Sequence, residues 1–275
     1  MTKSIVITGS SRGIGFCLAE AFLARACEVV ISSRSQPGVD EALTSLKGKY
    51  STQLSCGVAC DVTDYLQVQN LWAQATAHFG KVDIWINNAG GAAPRMNFWE
   101  LPAEKYDEVV RANLIGTMYG TRVALAGMLT QGFGALYNLE GFGARGRSMR
   151  GMTLYGSTKA AMRFIDQSLA QELEGTSVIC GAIAPGMVIT DMITRQYRGR
   201  EAELEKAKPI LNIIAERPET VAPVLADKIL KNQKNGVVIS FSSSARLMLK
   251  FLLAPFRKRD LFSPLATADE CKGEE

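Results

Sequence analysis

"TGSSRGIG", residues 8–15, decides the fold. It follows the apolar run Ile5–Thr8 and leads into the helix-period segment Ile14–Ala26. A strand, a glycine loop and a helix in that order bring backbone N–H groups to a phosphate at the positive helix end. Gly9 suits the tight turn, Gly13 a close backbone approach and Gly15 close packing of the helix. Ser11, Arg12 and Ile14 complete the loop and are expected to line the same dinucleotide. The spacing is G-x-x-x-G-x-G, not the G-x-G-x-x-G of the general fingerprint. The flanking strand and helix therefore carry the assignment.

The same rhythm continues outward from this loop. Strand-like runs fall at Ile5–Thr8, Val29–Ser33, Leu54–Cys60, Val82–Asn87, Ala135–Leu139, Val178–Ile183 and Gly236–Ser240. They are short, rich in Val and Ile, and apolar on both faces, as strands between two helical layers must be. Helix-period segments lie between them at Ile14–Ala26, Leu66–Phe79, Pro102–Leu129 and Tyr155–Glu174. The alternation predicts an α/β fold, a doubly wound parallel seven-stranded sheet of Rossmann type, in one domain over 1–275. Met187–Val221 breaks the rhythm with mixed charged and apolar patches. It is expected to be an insertion covering the substrate, and 244–275 a C-terminal extension.

Composition excludes more than it proves. The chain has 275 residues, 47% hydrophobic and 21% charged, with net charge +4. That balance is ordinary for a globular domain and gives no reason to expect a nucleic-acid partner. Cys17, Cys27, Cys56, Cys60, Cys180 and Cys271 are scattered and read as free thiols. His78 is the one histidine of the sequence. No metal site is expected, because no second Cys/His pair complements Cys56 and Cys60. No targeting segment or membrane-length apolar run is read, and a reducing, cytoplasmic setting is expected.

The second strand selects the cofactor. An acid at its end would favour NAD through the ribose 2′-hydroxyl. Here Ser33 and Arg34 stand instead, and Arg34, with Arg12 nearby, suits a 2′-phosphate. The expected cofactor is NADP(H). Asp61 and Val62 end the third strand and are expected over the adenine. "NNAG" ends the fourth, placing Asn88, Ala89 and Gly90 near a ribose.

These motifs, with "RANLIGT" around Asn113, "YGSTK" at Tyr155 and Lys159, and "PGMVITDM" at Thr190, resemble the short-chain dehydrogenase/reductase superfamily. The resemblance covers residues 3 to about 240 and is specific. It implies that Tyr155 is the general acid for carbonyl reduction and that Lys159 lowers the phenol's pKa and holds the nicotinamide ribose. Asn113 would kink its helix and anchor a water linked to the lysine. Thr190, beyond Pro185, Gly186 and Val188, would bond the nicotinamide carboxamide. The Pro102–Leu129 and Tyr155–Glu174 segments resemble the pair through which family members assemble, so a homodimer or homotetramer is expected.

One position departs from the family. Where a motif resembling "NISS" normally supplies a serine to the substrate carbonyl, this chain reads "NLEG". The serine's place falls on Gly141, with Glu140 before it. Losing one such donor costs about 100- to 1000-fold in rate if nothing replaces it. Two readings follow: a cofactor-binding regulator without catalysis, or an enzyme that gives a bulky substrate room there. In the second, a backbone N–H, a water or Ser148 would assist Tyr155. The intact Asn113, Tyr155 and Lys159 favour the enzyme.

A narrower resemblance points the same way. "NLEG" with its glycine-rich loop, "LYGSTK", "PGMVITDM" and "LNIIAERPETVA" (Leu211–Ala222) are similar to chlorophyll(ide) b reductases. That similarity implies NADPH-dependent reduction of a 7-formyl group on a tetrapyrrole. Another bulky ketone or aldehyde, such as a lipid, quinone or polyketide, stays open as the substrate. Met149, Met152, Met187 and Met192 suit the walls of an apolar pocket. Residues 244–262 are basic and apolar, fitting either peripheral membrane contact or a helix docked over the pocket.

Overall fold

The computed structural model describes residues 2–197, 199–254 and 259–262, leaving out the side chains of 244–246. The chain runs through β1 (Ser4–Ile7), α1 (Gly13–Leu23), β2 (Glu28–Ser33), α2 (Gln36–Leu46), β3 (Ser55–Ala59), α3 (Tyr65–Phe79) and β4 (Ile84–Asn87). It continues through α4 (Ala103–Val110), α5 (Gly116–Gln131), β5 (Gly134–Leu139), α6 (Thr153–Glu172) and β6 (Val178–Ala184). It closes with α7 (Asp191–Arg195), α8 (Glu201–Ile214), α9 (Pro218–Lys231), β7 (Val237–Ser240) and α10 (Ser244–Leu253).

The seven strands form one sheet in the order β3-β2-β1-β4-β5-β6-β7. Every pairing is parallel. The order reverses between β1 and β4, and ligands bind such sheets at the strand ends beside that point. Side chains alternate across each strand. Ile5 and Ile7 join Leu18, Phe22 and Leu225 beneath α1 and α9, while Val6 joins Trp85, Leu71 and Met128 beneath α3 and α5. Each large side chain so buried stabilises the fold by about 1.5–3 kcal/mol.

Local signals set the helix ends. Asp64 accepts from the N–H groups of Leu66 and Gln67, and Gly80 closes α3 with φ +77°. These are an N-cap and a left-handed C-terminal stop. The segment expected as one helix over 102–129 is interrupted. Residues 111–115 form a π-turn between α4 and α5, with Asn113 fully buried inside it. A wide turn of this kind frees backbone groups and commonly marks a functional position.

Two further helices, α2 and α9, lie outside the helix-period segments singled out above. Pro218 opens α9 as the first helical residue, a position where the missing N–H costs nothing. The end of the expected 187–221 insertion is thereby corrected, because Val221 is wholly buried under the sheet. The rest of that segment forms α7 and α8.

Candidate active site

The glycine loop is held down by the fourth strand's end. Asn88 Nδ2 donates to the carbonyls of Thr8 (2.8 Å) and Gly9 (2.9 Å). Thr8 Oγ1 accepts from the N–H groups of Asn88 (3.0 Å) and Ala89 (3.1 Å). A Cβ at Gly15 would stand 2.7 Å from the Gly9 carbonyl, and one at Gly9 would stand 2.8 Å from Ala89 Cα. The glycines thus let three backbone segments meet.

Gly13 differs. Its φ is +59°, and a Cβ there would meet nothing nearer than Thr190 Cγ2 at 3.7 Å. The space over it is an open cradle, with Thr190 on the far side. Helix α1 starts here without a side-chain cap, since Arg12 is extended (φ −160°) and gives no capping bond. The uncapped first-turn N–H groups and the cradle fit a pyrophosphate. Ser11 and Ile14 flank them, and Asn88, Ala89 and Gly90 close the side toward β4.

Arg12 and Arg34 are exposed, and neither forms an ion pair among the described residues. Ser33, partly buried, ends β2 beside them. The third strand's motif is partly structural. Asp61 Oδ1 accepts from the Thr63 N–H and hydroxyl, both at 2.9 Å. Val62 is buried, and a Cβ at Gly116 would stand 2.6 Å from its Cγ2.

Tyr155 and Lys159 lie one turn apart on α6, so they share a face. Lys159 Nζ is 5.8 Å from the centre of the Tyr155 ring and donates to the Leu139 carbonyl at 2.9 Å. Asn113 joins the same cluster. Its Oδ1 accepts from the Gly91 N–H (2.7 Å), and its Nδ2 donates to the Gly91 carbonyl (2.9 Å) and to Thr158 Oγ1 (3.2 Å). The π-turn therefore binds the β4 loop to α6 beside the Tyr–Lys pair.

The charge states depart from expectation in one respect. Burial pushes the Tyr155 phenol up to about 12, and the lysine does not reverse this. A phenol that keeps its proton is still the form that donates to a carbonyl oxygen. Burial also pushes Lys159 down to about 8, against the pull of Asp166 and Glu140. Asp166 is itself raised to about 7, first by burial, while a bond from Asn138 Nδ2 (2.6 Å) opposes the rise.

Gly141 lies directly against Tyr155 and Lys159. A Cβ there would be 2.2 Å from Tyr155 Oη and 3.2 Å from Lys159 Cε. The hydroxyl of Tyr155 itself fills the space a serine would need. Glu140 turns away from it, into an ion pair with Arg163 (3.2 Å) and a second with Arg145 (3.3 Å). Ser148 sits exposed on the loop, and no hydrogen bond links it to Tyr155. It is not placed as the substitute donor in this conformation.

Several residues outside the sequence motifs shape the surroundings. Arg95 bonds the hydroxyl of the buried Tyr197 just after α7, and its other arm reaches Met149 Sδ at 2.6 Å. Three segments meet at that guanidinium. Pro185 is buried, Gly186 turns with φ +79°, and Val188 bridges to Glu216. Glu216 then pairs with Lys250 (2.7 Å) and Arg259 (2.5 Å), docking α10 against the end of α8. The outward side of α10 still exposes Met248, Leu249 and Leu252. No described helix is long and apolar enough to cross a membrane. Cys271 and the rest of 263–275 lie outside the described residues.

Comparison with known proteins agrees with this geometry. Residues 3–201 match the family model described as short chain dehydrogenase. The chain is 33% identical to the probable chloroplastic chlorophyll(ide) b reductase NYC1 of Arabidopsis thaliana, over 93% of this chain and 54% of that protein. It is 37% identical to the chloroplastic chlorophyll(ide) b reductase NOL of the same plant, over 82% of this chain and 65% of that one. It thus spans about half to two-thirds of these relatives. Among solved structures, the closed form of a serine dehydrogenase complexed with NADP+ superposes with a TM-score of 0.75 at 26% identity, over 86% of this chain and 93% of that chain.

Proposed function

The chain belongs to the short-chain dehydrogenase family, and from that premise we propose that it is an NADPH-dependent reductase of a bulky formyl compound, with a chlorophyll(ide) b-type tetrapyrrole as the favoured substrate. The observation that carries the reductase reading is the Tyr155–Lys159 pair on one face of α6, with the Tyr155 hydroxyl packed against Gly141. Gly9, Gly13 and the uncapped start of α1 would hold the pyrophosphate, and Thr190 and Lys159 the nicotinamide end. Arg12, Ser33 and Arg34 would hold a 2′-phosphate, in keeping with the NADP+ of the serine dehydrogenase complex. NADPH, when bound, supplies the hydride that reduces the carbonyl carbon.

The chain's own residues do the rest. Tyr155 Oη gives its proton to the carbonyl oxygen as negative charge develops there, leaving a phenolate. The Lys159 ammonium stabilises that phenolate, and Asn113 fixes the β4 loop beside both. A hydroxymethyl group is the product of a formyl substrate. The likeness to the two chlorophyll(ide) b reductases supports the tetrapyrrole. So do Met149, Met152 and Met187, which lie outside the helices, and Met192 on α7, whose adaptable side chains suit an apolar ligand.

Exposed Met118 on α5 and Phe164 on α6 support a homo-oligomer. The outward face of α10 supports peripheral contact with a lipid surface, into which such a substrate partitions. Co-sedimentation with liposomes tests that contact. Incubation with NADPH and chlorophyllide b, beside a panel of bulky ketones and aldehydes, tests the reaction. A hydroxymethyl product is expected, and wild-type protein that binds NADPH but reduces none of them would sink the reading.

A further inference from the structure

Three consecutive residues at the end of β5 each grip helix α6. Asn138 donates its side-chain N–H to Asp166 at 2.6 Å. The Leu139 carbonyl accepts from Lys159 at 2.9 Å. Glu140 accepts from Arg163 at 3.2 Å. The partners 159, 163 and 166 are spaced four and three apart, so they form one stripe of the helix. The sheet side is equally fixed, because β5 pairs with β6 through Leu139 and the Glu140 N–H then bonds the Ile183 carbonyl at 2.8 Å.

Glu140 is the unusual member. Its side chain is only 6% exposed. A buried carboxylate costs several kcal/mol unless it is well paired. Two guanidiniums, Arg163 and Arg145, meet that need. Its neighbour Gly141 removes the side chain that would keep α6 at a distance, since a Cβ would stand 2.2 Å from Tyr155 Oη. The two positions work together: Gly141 opens the space, and the ion pair holds the helix close enough to fill it.

We infer that Glu140 is a positioning residue, whose ion pair with Arg163 fixes α6 on the end of β5 and so sets where the Tyr155 hydroxyl and the Lys159 ammonium stand. The inference rests on reading Tyr155 and Lys159 as the reacting pair. Its electrostatic side is consistent. The anions facing Lys159 are Asp166 and Glu140, and the cations facing those anions are Arg163, Arg145 and Lys159 itself. Both anions favour the protonated lysine.

The test compares Glu140→Gln and Arg163→Gln with wild type. Both should lower kcat by about 10- to 100-fold, as small misplacement of a reacting group does. KM for NADPH should stay within about twofold if only positioning is lost. The pH profile separates a positioning role from a merely structural one. Removing the anion in Glu140→Gln weakens support for Lys159, so the alkaline limb should move to lower pH. Arg163→Gln keeps the anion and should not move it down. Glu140→Asp should recover part of both effects.

Lysine side-chain NMR reads the Lys159 titration without any turnover. A downward move in Glu140→Gln supports the inference even if wild type reduces no carbonyl compound, in which case the reductase reading alone fails. An unmoved titration with kcat within twofold of wild type overturns the inference. If Glu140→Gln does not accumulate folded, Arg163→Gln and Glu140→Asp carry the decision. Wild-type kcat in both would overturn it.

Discussion

The hydroxyl of Tyr155 occupies the place where a side chain at residue 141 would begin: a Cβ on Gly141 would stand 2.2 Å from Tyr155 Oη and 3.2 Å from Lys159 Cε. The absent serine is therefore not an empty slot. Serine and Tyr155 exclude one another in this arrangement, and the phenol, not a bulky substrate, takes the room beside Gly141.

Gly141→Ser is accordingly expected to displace Tyr155. Activity should fall about 100-fold, the scale of an ångström-sized misplacement. NADPH affinity should hold, because the glycine loop is untouched. Steady-state kinetics and NADPH fluorescence titration check the two halves. Retained or increased activity would show that α6 yields and that the exclusion is not real.

Arg34 is exposed and unpaired among the described residues. Arg34→Ala should weaken NADPH binding about 10- to 100-fold, the worth of a charged hydrogen bond. NADH binding should stay unchanged. Parallel titration of the two cofactors measures this. Equal losses for both would assign Arg34 to no 2′-phosphate.

Lys159 is pushed down to about 8, so its proton, and the support it gives the phenolate, is lost above that pH. Activity should decline on that limb. Asp166 adds a stability signature. Its carboxyl is raised from 3.8 to about 7, so the folded state binds the extra proton between those values and stability falls as pH rises through them. Asp166→Asn should flatten that fall. Denaturant unfolding across the window checks it, and an unchanged slope would remove Asp166 as its source.

Glu216 joins two roles, bonding Met187 and Ile189 through its backbone and Lys250 and Arg259 through its carboxylate. Glu216→Ala should release the C-terminal helix from the end of α8. Limited proteolysis should then cut within 244–262 faster than in wild type, with the melting temperature little changed. Equal cleavage rates would mean that α10 is held by other contacts.

Much of this was legible in the sequence because it depends on local pattern. All seven strands lie where short apolar runs place them. The glycine loop, "NNAG" and the Tyr–Lys spacing each encode their neighbour geometry within a few residues. The misses share the opposite property. Arg95 meets Tyr197 and Met149 across wide gaps in the chain, and Glu140 meets Arg163 only after β5 and α6 pack. The π-turn at 111–115 is invisible to helical periodicity, which reads straight through it. The phenol's raised pKa has a like cause, since the burial that raises it comes from packing between segments distant in the chain. Helix α9 was hidden because its first residues read as the tail of the cover.

The most direct measurement is single-turnover reduction of a formyl tetrapyrrole by NADPH, with wild type and Tyr155→Phe side by side. The account predicts a hydroxymethyl product from wild type and a loss of about 100- to 10,000-fold in the variant, the usual contribution of a general acid. NADPH should bind both proteins alike. Undiminished turnover by Tyr155→Phe would contradict the account at its centre.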